Sequence, residues 1–156
     1  MKYSIVSGYF APMHKGHLQN ILDSQKFGKT IVIVNNDRQL VAKRGKSFID
    51  EENRKFLCEN VKGVKKAIIA IDKDKTVCAT LSLIRKLYPN DTLTFCKGGD
   101  RTNKNTPEQE VCDKLNINIV FDIGGKKIHS SRDFLKEWGE WSRSMTEKEF
   151  NDKFNG

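Results

Sequence analysis

Two histidines three residues apart, with a glycine between them, are the groups in this chain best placed to do chemistry: His14-Lys15-Gly16-His17. On the first turn of a helix that spacing sets both imidazoles on one side, within reach of one anion, and Gly16 removes a side chain that would crowd them. Ahead of them, in Ser7-Gly8-Tyr9-Phe10-Ala11-Pro12-Met13, Gly8 permits a tight turn and close approach to a ligand, while Pro12 stiffens the path. The apolar run Tyr3-Ser4-Ile5-Val6-Ser7 reads as a buried strand, and Leu18, Ile21 and Leu22 recur at helical spacing afterwards. A strand, a glycine-bearing turn and a helix make a phosphate site, because the helix aims its free N–H groups and positive dipole end at the turn. The plainer reading is two solvated histidines at a helix start.

Other polar groups follow other apolar runs. Asp37, Lys43 and Lys46, then Glu52 and Arg54, come after a second strand-like segment. They are either a solvated charged loop or a polyanion site, in which lysine supplies a mobile point charge and arginine a bidentate fork. Lys97-Gly98-Gly99-Asp100 is at least a tight turn. Ser130 and Ser131 stand at a helix start, where hydroxyls and free N–H groups cradle anions or simply cap the helix. The two histidines also fit a zinc pair, but no third ligand lies at metal-like spacing, so no protein-held metal is expected.

The elements that must position these groups alternate. Strands are predicted over residues 2–7, 30–35, 67–71, 92–96 and 117–121. Between them a helix opens near Asp50 with Phe56, Leu57 and Val61 on its apolar face, another carries Val77, Leu81, Ile84 and Leu87, and a third has Thr106 as N-cap and Pro107 as its first residue. A last helical segment from about 133 presents Phe134, Leu135 and Trp138, and Thr146 with Glu149 marks a capping box for a terminal helix. Alternating strands and helices predict an α/β fold: a Rossmann-like five-stranded parallel sheet with helices on both faces, in one domain over residues 1–156. Ligands of such sheets sit beyond the carboxyl ends of the strands. The histidine turn, Asn36-Asp37, Lys97-Gly98-Gly99-Asp100 and Gly124-Gly125 all fall there.

The 156 residues carry a net charge of +8, which admits a nucleic-acid partner. The cations are dispersed among acids, however, as in Lys73-Asp74-Lys75, and a polyanionic small substrate accounts for the charge as well. The longest apolar run, Ala67 to Ile71, is far short of a membrane span, and the polar N-terminal stretch does not read as a signal peptide; a soluble cytoplasmic protein without a membrane partner is expected. Cys58, Cys78, Cys96 and Cys112 form no Cys-x-x-Cys pair and are expected as buried, reduced thiols.

The His-x-Gly-His block resembles the signature of the cytidylyltransferase-like nucleotidyltransferases, which join a nucleoside triphosphate to a phosphorylated acceptor and release pyrophosphate. The ungapped stretch from Asp37 through Lys43 and Lys46 to Glu52-Asn53-Arg54 is similar to glycerol-3-phosphate cytidylyltransferases, and Lys-Gly-Gly-Asp to heptose-1-phosphate adenylyltransferases. The resemblance implies His14, His17, Lys43 and Lys46 as catalytic residues. It implies Gly8, Tyr9, Phe10, Gly16, Lys97, Gly98, Gly99, Asp100, Ser130 and Ser131 as nucleotide-binding, and Arg54 and Arg101 as acceptor-binding. Arg101 replaces the aromatic residue common in the family, and Gly124-Gly125-Lys126-Lys127 stands where the glycerol phosphate enzymes carry an arginine, so the contact owed to that arginine is either missing or moved to Lys126 or Lys127. It further implies CTP or ATP as donor, with CTP slightly favoured, Mg²⁺ arriving on the triphosphate, and a homodimer. The alternative on the same fold is a catalytically silent protein that responds to nucleotides or binds nucleic acid.

Overall fold

Adjacent β-branched residues on each strand point to opposite faces, and this alternation builds two cores from one sheet. In the computed structural model, which describes residues 1–98, 107–124 and 130–154, β1 (Lys2–Gly8), β2 (Lys29–Val34), β3 (Val64–Ile69), β4 (Thr92–Gly98) and β5 (Asn118–Ile123) form a five-stranded parallel sheet. Ile5, Ile31, Ile33 and Phe95 pack on one face with Leu81 and Ile84 of α4 (Cys78–Leu87) and Cys112 of α5 (Glu108–Lys114). Val6, Val32, Val34 and Cys96 pack on the other with Ile21 of α1 (Lys15–Ser24) and Cys58 of α3 (Glu51–Glu59). The strand order is β3-β2-β1-β4-β5, so the winding reverses between β1 and β4 and opens a crevice at their carboxyl ends.

The sheet and its helical layers are those expected; the details depart in four places. β3 starts at Val64, ahead of the apolar run, because an edge strand leaves Lys65 and Lys66 in solvent and needs no apolar residue there. The stretch after β2 is a helix, α2 (Asp37–Arg44), and not a loop. Asn36 and Gln39 form a reciprocal capping box at its start and Gly45 closes it in the left-handed conformation, so local caps define a helix that buries only Gln39 and Leu40. On α3 the face is rotated: Phe56 and Leu57 are exposed while Arg54 and Cys58, one turn apart, point inward. α5 begins at Glu108 with Pro107 in the cap position, and Thr106 lies outside the described residues.

α6 (Ser131–Arg143) and α7 (Glu147–Phe154) complete the described chain. Of the expected apolar stripe of α6, Phe134 and Trp138 are exposed at 39% and 52% and Leu135 is half-buried, and Trp138, Trp141 and Phe154 pack on one another. Thr146 caps α7 by accepting the Glu149 N–H at 3.2 Å. No helix among the described residues is long and apolar enough to cross a membrane.

Burial pushes the thiols of Cys58 and Cys112 up to about 12 and that of Cys96 to about 11, while Cys78 is raised less and is only partly buried. A thiol at about 12 is ionised in about one molecule in ten thousand at pH 8. Cys78 should therefore be the first to react with a thiol-specific disulfide reagent at pH 8, and the other three should react only on unfolding. Mass spectrometry of labelled peptides checks the order; native labelling of Cys58 or Cys112 would contradict this packing.

Candidate active site

The backbone requirements of a helix start decide how the two histidines stand. His14 is the N-cap of α1, and its Nδ1 accepts the Gly16 N–H at 3.1 Å; His17 Nδ1 accepts the His14 N–H at 3.1 Å. The two rings thus close a capping box in place of the usual hydroxyl and carboxamide pair. A nitrogen that accepts a hydrogen bond carries no proton, so the neutral form of each ring holds its proton on Nε2. The imidazoles stack with centroids 3.9 Å apart at 30°. A Cβ on Gly16 would come within 2.9 Å of His14 Cε1, which explains the glycine between them.

Phe10 backs this pair from below. Its ring is 2% exposed and meets His17 edge-on at 5.1 Å. Its backbone takes φ 53°, and a Cβ on Gly8 would lie 3.0 Å from the ring, so Gly8 makes room for Phe10. The Phe10 side chain therefore belongs to the core, and the expectation that it faces a nucleotide is corrected. Phe134 of α6 approaches His14 from the other side at 5.6 Å, and the Ser131 hydroxyl donates to the Pro12 carbonyl at 2.8 Å. Ser131 thereby fastens α6 to the turn, a use the sequence did not reveal. Ser130 stands at the N-cap position of α6, and its hydroxyl makes no capping bond.

Arg54 is the second correction. Its side chain is 0% exposed and cannot present a fork to an acceptor. Nε donates to the Ile49 carbonyl at 2.9 Å, Nη1 to the carbonyls of Tyr9 at 2.8 Å and Asn35 at 2.6 Å, and Nη2 to Asp37 Oδ1 at 2.8 Å. One guanidinium joins the histidine turn, the end of β2, the start of α2 and the turn into α3. Burial pulls the Asp37 carboxyl up, but hydrogen bonds from Ser47, Arg54 and the Glu51 backbone outweigh it and hold the group below its ordinary 3.8. Asp37 thereby ties the start of α2 to Ser47 and Arg54.

Lys43, in the last turn of α2, lies over the Tyr9 ring at 4.3 Å from its centroid, which brings an exposed cation beside the histidine turn. Lys46 is exposed just beyond Gly45. Lys97 is the third correction: it is 7% exposed, and its Nζ pairs with Glu108 Oε2 at 3.4 Å inside the fold. Glu108 also accepts the Val77 N–H at 3.4 Å, so this pair ties β4, α4 and α5 together. Gly98 ends β4 at the crevice. Gly99, Asp100, Arg101, Gly125, Lys126, Lys127 and His129 lie outside the described residues. Among the described residues no group of histidine, cysteine and carboxylate side chains could hold a metal ion.

The start of α1 thus lies at the switch point of a parallel sheet and carries two imidazoles whose Nδ1 atoms accept backbone hydrogen bonds. The model of the family described as cytidylyltransferase-like matches residues 5–152. The chain belongs to this family. An FAD synthase from Picrophilus torridus is 30% identical over 76 residues, covering 47% of this chain and 55% of that one; the match spans about half of either protein. A lipopolysaccharide core biosynthesis protein from Thermoplasma volcanium shares the fold with a TM-score of 0.61 at 21% identity, over 80% of this chain and 98% of that one. So does a Vibrio parahaemolyticus protein provisionally assigned as a nicotinate-nucleotide adenylyltransferase, with a TM-score of 0.61 at 19% identity over 87% and 86%. This cytidylyltransferase-like chain thus keeps the family's fold while using Arg54 and Lys97 as internal fasteners.

Three outcomes follow for the site. Long-range ¹H–¹⁵N spectra should show the neutral Nε2–H tautomer for both His14 and His17; Nδ1–H resonances would refute the double cap. Arg54→Lys should destabilise the fold by about 3 kcal/mol in urea unfolding, because an ammonium cannot reach four acceptors spread over a planar fork. An unchanged midpoint would remove Arg54 from its joining role. Since Asp37 titrates lower in the folded than in the unfolded chain, its stabilisation is present in full above 3.8 and lost as pH falls through the folded value. Asp37→Asn should accordingly flatten the acid limb of a stability-versus-pH curve, and an unaltered limb would show that Asp37 is not coupled to folding.

Proposed function

We propose that the chain transfers a nucleoside monophosphate from ATP or CTP to the phosphate of a small phosphorylated acceptor, an alcohol or a sugar, with release of pyrophosphate. The observation that carries this reading is the stacked histidine pair at the start of α1, with Nδ1 of each ring held by backbone and a proton on each Nε2. An oxygen of the acceptor phosphate attacks the α-phosphorus, and the bond from that phosphorus to the oxygen bridging to the β-phosphate breaks. A phosphate monoester is already anionic near neutral pH, so the reaction needs no general base. What it needs is alignment and charge stabilisation at the bridging oxygen as pyrophosphate leaves. In this reading His14 and His17 donate through Nε2 to the triphosphate, Lys43 and Lys46 bring mobile positive charge, and the Ser130 hydroxyl adds a donor. The substrate is the Mg²⁺ complex of the triphosphate.

ATP is the donor to test first. FAD contains an adenylyl group, so the FAD synthase relative favours ATP, and the burial of Arg54 removes the acceptor fork on which the glycerol phosphate comparison leaned. Pyrophosphate release should be measured with each triphosphate against a panel of phosphorylated sugars, alcohols and flavin mononucleotide. Silence across the panel in protein that binds no triphosphate would overturn the proposal. His17→Ala should lower kcat by about 10² to 10³ with a smaller change in KM, the scale of losing one preorganised oxyanion donor. Full kcat in both His14→Ala and His17→Ala would remove the pair from the chemistry. The reading extends to a homodimer through the exposed aromatic ridge of Trp138, Trp141, Phe150 and Phe154; a monomer mass by light scattering at micromolar concentration would exclude it.

A further inference from the structure

One polar side chain in the crevice has no role in the fold as described. Asn20 lies on α1 one turn beyond His17 and Gly16, and it is partly buried. Its amide is pressed against the ends of two strands: a Cβ on Gly98 would stand 2.7 Å from Asn20 Nδ2, and a Cβ on Gly124 would stand 1.9 Å from Asn20 Oδ1. Any other residue at 98 or 124 would displace the amide. The end of β4 is therefore shaped around it at Gly98, while Gly124 is also required by its left-handed φ of 84°. Yet the amide makes no hydrogen bond among the described residues, although its backbone carbonyl accepts the Ser24 hydroxyl at 2.5 Å. A carboxamide at a helix position facing a sheet is costly to desolvate without a partner, and a leucine would fill the same volume without that cost.

We propose that Asn20 reads the base of the nucleoside triphosphate, and this rests on the nucleotidyltransferase reading above. The phosphate chain belongs at the helix start with His14 and His17. Asn20 is one turn along α1 from His17, and its amide meets the carboxyl ends of β4 and β5, over which a nucleoside extending from those phosphates along the crevice would lie. A carboxamide presents one acceptor and one donor side by side. That pair complements an amino group next to a ring nitrogen, the edge shared by adenine and cytosine: the amide oxygen accepts from the exocyclic amino group, and the amide N–H donates to the ring nitrogen. Asn20 is thus a specificity residue for aminated bases, while the histidines remain indifferent to the base.

The test compares ATP, purine riboside triphosphate, which lacks the 6-amino group, and inorganic tripolyphosphate, by calorimetric titration on wild type and Asn20→Ala. Wild type should bind ATP about tenfold more tightly than the deaminated analogue, and Asn20→Ala should bind the two equally. Tripolyphosphate should bind both proteins alike, which shows that the phosphate end and the fold are intact in the variant. Gly98→Ala in the wild-type chain should also erase the preference by pushing the amide aside, and should have no further effect on it in the Asn20→Ala chain. An amino preference that survives Asn20→Ala, or a wild type without one, overturns the assignment of Asn20 and leaves the transferase proposal standing. A wild type that binds no triphosphate and no tripolyphosphate overturns both.

Discussion

The arrangement of this site depends on a charge that never meets solvent. The Arg54 guanidinium takes carbonyls from the histidine turn, from the end of β2 and from the turn into α3, and closes on Asp37 at the start of α2. Turns at strand ends leave carbonyls that no ladder satisfies, and a buried carbonyl without a donor costs about 1–3 kcal/mol. A planar fork with donors in fixed directions answers several at once, which a lysine or a water cannot do in one rigid piece. The consequence reaches the helix: with Arg54 turned inward, Cys58 follows one turn later into the core, and Phe56 and Leu57 are left outside.

The histidine pair shows a second economy of the same kind. Helix α1 must satisfy its first N–H groups, and the two imidazoles do so through Nδ1. The bonds that complete the helix also select the tautomer and lock the ring planes in a stack. Phe10 beneath and Phe134 beside them narrow the remaining freedom. Preorganisation of a donor pair is thus a by-product of capping, and the side chains need no separate scaffold.

Charge is treated in opposite ways on the two sides of the crevice. Lys97 is withdrawn into a pair with Glu108 that bonds β4 to α5, whereas Lys43 remains exposed over Tyr9 and Lys46 beyond the end of α2. A buried pair contributes position more than net stability, since desolvation offsets most of the attraction. The basic residues named here are therefore divided between a buried pair at the end of β4 and exposed positions at the end of α2.

Much of the fold was legible in the sequence. Runs of β-branched residues at 30–35 and 92–96, spaced by amphipathic helices, determine a parallel sheet, because such runs are buried only when both faces are covered. The position of the histidine turn after β1, of Gly98 at the end of β4 and of Gly124 after β5 was legible for the same reason. Even α2 was written locally, in Asn36, Gln39 and Gly45, although its weak apolar face hid it. What each charged side chain does was not legible. Arg54 and Lys97 have the composition of ligand-binding residues and the positions of the family's motifs, but apart from Ile49 their hydrogen-bond partners lie 11 to 45 residues away. The sequence alone determined which residues gather at the carboxyl ends of the strands, through local propensity and periodicity. Only the tertiary structure decided which of them turn inward, because that depends on where unsatisfied carbonyls and carboxylates from distant segments come to lie.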